Sequence, residues 1–139
     1  MDVAALIAWL LTAAGGFVLL GTWIAKGGHR PDAARPSRFP PALVFGHFLL
    51  AAAGLVLWIV YVAADSDGLT WVAFALVALA ALAGFGLFVR WLPQVRGRAA
   101  PSGDATATAE AQFPVPVVVV HGLLGATTLV LVLIAALNA

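Results

Sequence analysis

Four stretches of about twenty apolar residues dominate this chain: Val3–Ala25, Pro41–Ala64, Leu69–Leu92 and Val115–Leu137. A run of that length, coiled as a helix, spans a hydrocarbon layer about 30 Å thick. Inside such a layer every backbone N–H and C=O must be bonded within the protein, which leaves helices as the economical solution for single uninterrupted runs. Outside the runs lie only the termini, a short turn at Asp65–Gly68 and two loops, 26–40 and 93–114. The expected fold is therefore all-α, one domain over residues 1–139, an integral membrane four-helix bundle.

Composition excludes several classes. Hydrophobic residues make up 63% and charged residues 9% of the chain, far from the balance of a soluble domain. With no cysteine, there can be no disulfide, thiolate metal ligand, Fe–S cluster or covalently attached c-type haem. The first run does not read as a cleaved signal, because Asp2 is the only charge before Lys26 and the apolar stretch is full length.

The net charge of +1 conceals an asymmetry. Lys26, Arg30, Arg35 and Arg38 lie in or beside the first loop, and Arg90, Arg96 and Arg98 lie at the end of the third run or just beyond it. All seven basic residues thus fall on one side, opposite Asp2, Asp65 and Asp67. The positive-inside rule makes the basic loops cytoplasmic and puts both termini outside. Topology accounts for these charges without a nucleic-acid partner, and contact with anionic lipid follows from it. The three-proline segment Gly27–Pro40 is too irregular for a helix, and GRAAPSGDATATAEAQ, residues 97–112, reads as a mobile polar linker. Trp23 and Trp91 near the cytoplasmic ends and Trp71 near the outer surface suit interfacial belts, whereas Trp9 and Trp58 suit packing.

Within the apolar runs the residues with ligand chemistry are His47 and His121. Each lies eight residues after a Phe that opens a Phe-Pro step, in RFPPALVFGH and QFPVPVVVVH. An ionisable side chain at membrane depth marks function by default. The two positions belong to a repeat: an offset of 74 residues lays the second run on the fourth and matches Phe39, Pro40, Val44, His47, Leu49, Leu50, Ala52, Leu55, Val56 and Leu57 with identical residues. The first and third runs match more weakly, through Phe17/Phe85, Leu19/Leu87 and Trp23/Trp91. This pattern predicts a duplicated helical hairpin with a pseudo-two-fold axis along the membrane normal, against the plainer explanation of biased composition. Both histidines then enter from the cytoplasmic side and lie near 10 Å below that boundary at about 1.5 Å per residue.

Helices facing each other diagonally would bring the two imidazoles to one central object, and the expected object is a single bis-histidine haem b. Gly46, Ala51 and Gly54 around His47, with Gly122, Gly125 and Thr128 around His121, leave room for a macrocycle; they equally allow close helix packing. Propionates would face the basic loops, where Arg38 is one candidate partner among Arg35, Arg96, Arg98 and Lys26. The second ring nitrogen of a ligating imidazole needs an acceptor, for which Thr127 or Thr128 is available near His121. His29 in the first loop reads as solvated. No phosphate-binding glycine loop, intramembrane carboxylate pair or Ser/His/Asp set occurs, so whether the chain is an enzyme stays open and any redox activity would belong to the cofactor.

This plan, with the motifs around His47 and His121, resembles the bis-histidine haem b membrane cytochromes: bacterial four-helix cytochromes b and the haem-bearing membrane anchors of respiratory dehydrogenases. The resemblance implies electron transfer or redox sensing, with quinone and a respiratory or redox protein as partners. Two-haem members carry a deeper second pair of histidines, which this chain lacks, so the resemblance implies at most one haem per chain, near the cytoplasmic face. Richness in Ala, Gly, Val and Arg is similar to that of small membrane proteins of high-GC bacteria and implies a bacterial cytoplasmic membrane. Two other readings stay open. One is a non-redox membrane protein, an accessory subunit of a larger complex or a small channel or transporter, with structural or proton-relay histidines; the other is a metal-handling protein. A homo-oligomer is compatible with all three.

Overall fold

The computed structural model describes residues 1–30, 37–64, 68–97 and 108–139. They form α1 (Asp2–Ala25), α2 (Pro41–Ala64), α3 (Gly68–Gly97), a single 3₁₀ turn η1 (Glu110–Gln112) and α4 (Val115–Leu137). All four α-helices are long and apolar enough to cross a membrane. The protein is a multi-pass membrane protein of four helices, with large side chains such as Leu49, Leu82, Phe85 and Leu123 on its outer faces. Residues 65–67, which hold most of the short turn, and 98–107, most of the polar linker, lie outside the described residues, as do 31–36 with Arg35.

Local chemistry sets the helix ends. α2 and α4 begin alike: the Pro40 carbonyl accepts from the N–H groups of Leu43 and Val44, and the Pro114 carbonyl from those of Val117 and Val118. Proline suits this position because the first helical N–H groups have no partner to lose. α1 ends in a left-handed residue, Gly27, with φ 75°. The Gly28 N–H bonds back to the Trp23 carbonyl at 2.8 Å and the Gly27 N–H to that of Ile24 at 3.0 Å, the paired closure of a Schellman motif. Gly28 is also the only residue type that fits, since a Cβ there would run into the Trp23 indole. α3 continues through Pro93 to Gly97, one turn beyond the apolar run that ends at Leu92. Proline withholds only one ladder hydrogen bond, and this close to a helix end little chain depends on it.

Packing divides the bundle into two helix pairs. α1 lies along α4 and α2 along α3, while α1–α2 and α3–α4 touch over shorter stretches. Among the described residues the backbones of α2 and α4 make no close approach, nor do those of α1 and α3, so each of these couples is a diagonal that meets only through side chains. The helices bury two clusters. At the end bearing the chain termini, Ala5, Trp9, Trp58, Tyr61, Ala73, Val77, Val132 and Ala135 pack together. At the loop end, Trp23, Phe39, Val44, Trp91, Ala109 and Phe113 do so.

Two expectations need correction here. Trp23 and Trp91 are not belt residues facing lipid: both are buried in the loop-end cluster, whereas Trp71 is exposed. The last residues of the presumed linker are not loose either, because Ala109, Glu110, Ala111 and Phe113 are buried against the helix ends. The small side chains that made this segment look unable to pack are what let it enter a confined space.

Candidate functional site

Between the two clusters the diagonal helices bring His47 and His121 together. Their ring centroids are 6.1 Å apart and their planes are inclined by 78°. Each imidazole is anchored on its neighbouring helix. The Nδ1 of His47 lies 2.8 Å from the Ala80 carbonyl oxygen of α3, and that of His121 lies 2.9 Å from the Thr12 carbonyl oxygen of α1. A carbonyl can only accept, so each Nδ1 carries the proton, and in the neutral ring Nε2 then presents a lone pair.

Glycines make this approach possible. A Cβ on Gly84 would meet His47 Cε1 at 2.9 Å, and one on Gly16 would meet His121 Cε1 at 3.1 Å. Gly15 flanks the second contact, where an added Cβ would lie 3.4 Å from the His121 Cβ. The two half-sites correspond position by position: Thr12 to Ala80 and Gly16 to Gly84 differ by 68 residues, and His47 to His121 by 74. Side-chain identity at position 12 or 80 does not matter for this anchor, since the backbone provides the acceptor.

The other candidate positions divide. A Cβ on Gly125 would meet the Thr12 methyl at 3.7 Å, and the Thr128 hydroxyl lies 3.2 Å from that of Thr12, whose carbonyl anchors His121. Thr127 and Thr128 both donate to carbonyls of their own helix, Leu123 and Leu124, so the acceptor for His121 is the Thr12 backbone instead. Gly54 belongs to a different layer, where it admits the tip of Trp9. Gly46 and Gly122 point into open space, with nothing within 4 Å of a Cβ, and Ala51 is half-buried. Arg38 lies at the loop end; its N–H donates to Glu110 Oε1 at 2.7 Å and its side chain is exposed. His29 packs edge-on against Trp23, away from the pair. Among the described residues no third His, Cys, Asp or Glu joins His47 and His121 in a group that could hold a metal.

Glu110 escaped sequence reasoning. It is fully buried at the loop end. The Ser37 hydroxyl donates to Glu110 Oε2 at 2.9 Å and itself accepts from Trp23 Nε1 at 2.9 Å and from the Phe39 N–H at 3.1 Å. One carboxylate therefore ties both loops and α1 into a single hydrogen-bonded knot.

Compared with known families, curated proteins and solved structures, the chain matches none. Its class rests on fold and site alone: a four-helix membrane protein whose interior is organised around a pair of backbone-anchored histidines.

Proposed function

We propose that this chain is a haem b-binding integral membrane protein in which His47 and His121 hold one iron through Nε2 near the cytoplasmic face. The observation that carries the reading is the pair itself. Their ring centroids are 6.1 Å apart, close enough that both imidazoles could serve one metal ion. Both Nδ1 protons are committed to carbonyls, an arrangement that orients ligating imidazoles and leaves the opposite nitrogen basic. His121 belongs to the α1–α4 pair and His47 to the α2–α3 pair, so a group held by both would join the two pairs.

When bound, haem with two histidine ligands supplies reversible one-electron transfer and no open position for oxygen. His47 and His121 would hold it, each oriented by a backbone carbonyl, that of Ala80 and of Thr12. The function is electron transfer or redox sensing, with quinone or a redox protein as exchange partner. The basic loops face the cytoplasm and both termini lie outside, on the positive-inside rule. Duplication of a hairpin is supported by the matched half-sites and by two ring contacts, His47 with His121 and Phe39 with Phe113, in which each residue meets its own counterpart.

A reduced-minus-oxidised spectrum of the purified protein with pyridine haemochrome quantitation tests this. About one haem b per chain is expected, lost or turned high-spin in His47→Ala and His121→Ala. A wild type that stays colourless after expression with added haem sinks the reading and leaves the histidines to packing or proton transfer.

A further inference from the structure

Among the described residues, three buried side-chain donors at the loop end have no acceptor: Trp91 Nε1, Gln94 Nε2 and Gln112 Nε2. Buried donors are satisfied in the great majority of cases, and one left alone is destabilising. Trp91 is only 4% exposed, so solvent does not reach it from outside.

The three belong to one corner. Trp91 and Gln94 are three residues apart on α3 and share a face. Gln94 Oε1 accepts from the Thr108 hydroxyl at 3.4 Å, which turns the amide so that its NH₂ is the free end. The Thr108 oxygen also accepts from the Ala111 N–H at 3.3 Å, holding η1 and Gln112 against the end of α3. The other half of the bundle shows what a satisfied version looks like. There Trp23, 68 residues before Trp91, donates to Ser37; the residue 74 positions after Ser37 is Ala111, a methyl group that can accept nothing.

We propose that Trp91, Gln94 and Gln112 form a subsite for an oxygen group that only accepts hydrogen bonds, and that its occupant is a propionate carboxylate of the haem. The proposal rests on the haem reading above. Trp91 stands seven residues past Gly84, the glycine under His47, which places it about 10 Å along α3 on the same face and toward the basic loops. Neutral donors suit a carboxylate at this depth, because they stabilise its charge without burying a cation. A phospholipid phosphate has the same acceptor chemistry and is the other source.

The test compares haem b with its dimethyl ester, in which both carboxylates are masked. Apoprotein in phosphatidylglycerol-containing nanodiscs is titrated with each, following the Soret band, for the wild type, Trp91→Phe, Gln94→Leu and Gln112→Leu, with helicity checked by circular dichroism. The wild type is expected to prefer the free acid by about tenfold or more. Folded Trp91→Phe and Gln112→Leu should lose that preference while still binding the ester like the wild type. Equal affinity of the wild type for both porphyrins overturns the carboxylate assignment, and so do variants that keep the wild-type ratio. If the wild type takes up neither porphyrin, the haem reading itself has failed. Native mass spectrometry of retained phosphatidylglycerol then decides the corner: loss in Trp91→Phe and Gln112→Leu supports a phosphate subsite, and unchanged retention overturns the subsite altogether.

Discussion

The ring of His47 lies against Gly84 so closely that a Cβ there would come within 2.9 Å of its Cε1 carbon, while its Nδ1 is bonded to Ala80 one helical turn earlier. Packing and hydrogen bond thus fix one ring from one helix, and α1 repeats the device for His121 with Thr12 and Gly16. The nearest atom belongs to a ring that is itself tethered, so it cannot swing aside without giving up the carbonyl.

Gly84→Ala is therefore expected to displace His47 and break its bond to Ala80, at a cost of about 1–3 kcal/mol from overpacking. Gly16→Ala, with 3.1 Å of clearance, should do the same to His121 more mildly. Imidazole nitrogen shifts in ¹⁵N-histidine-labelled protein read the tautomer directly. A Gly84→Ala protein with an unchanged His47 Nδ1–H signal would contradict the packing described here.

Replacing Thr12 separates backbone from side chain. Its hydroxyl donates to the Ala8 carbonyl and lies 3.2 Å from that of Thr128, but only its carbonyl touches His121. Thr12→Ala should leave the His121 nitrogen shifts unchanged and cost about 1 kcal/mol or less in unfolding by denaturing detergent. Thr128→Val, which keeps the shape and removes the other hydroxyl, should behave alike. Movement of the His121 signals in Thr12→Ala would mean that the hydroxyl, not the peptide, sets the ring.

How much of this was visible beforehand differs from residue to residue. The four helices follow from runs of apolar residues matched to bilayer thickness, and three of them end within a residue of those runs. The meeting of His47 and His121 was legible because rare residue types recur at one offset, whereas Leu and Val matches carry little information in a chain this apolar. Their anchors were not, since any residue offers a carbonyl and nothing marks Ala80 or Thr12 as acceptors. Gly84 and Gly16 look like many other glycines until a ring is seen lying on them. The burial of Trp23 and Trp91 was hidden because an interfacial tryptophan and one under a returning loop occupy the same place in sequence. Glu110 was the hardest: a charged residue in a Thr- and Ala-rich stretch reads as solvated, and only the fold brings Ser37 and the Arg38 N–H to it.

The end of α1 offers a test of loop-end packing that does not involve the histidines. Gly27 needs its left-handed φ of 75°, so Gly27→Ala is expected to cost about 1 kcal/mol. Gly28 faces a steric limit, because its Cβ would enter the Trp23 indole. Gly28→Ala should be the worse of the two and should shift tryptophan emission as Trp23 leaves its buried place, whereas Gly27→Ala should leave emission unchanged. The reverse ranking, measured by thermal unfolding in one detergent, would refute this account of the turn.

Glu110 carries the last prediction. Its carboxylate accepts from the Ser37 hydroxyl and the Arg38 N–H, and Ser37 in turn takes the Trp23 indole proton. Glu110→Leu removes both acceptors at a fully buried position and strands two donors, which should destabilise the loop end by about 2–5 kcal/mol. Glu110→Gln keeps one amide oxygen for Arg38, but the Ser37 oxygen already accepts from Trp23 and Phe39 and has no lone pair left for the amide NH₂, so the knot survives short of the Ser37 bond. The expected order of stability is wild type, then Gln, then Leu. Hydrogen exchange should rise first at the amides of Arg38 and Phe39, the two backbone donors in the knot, while helix-centre amides around His47 stay protected. Uniform exchange across the chain in Glu110→Leu would show instead that Glu110 supports the bundle as a whole, and that loop end and histidine layer unfold as one unit.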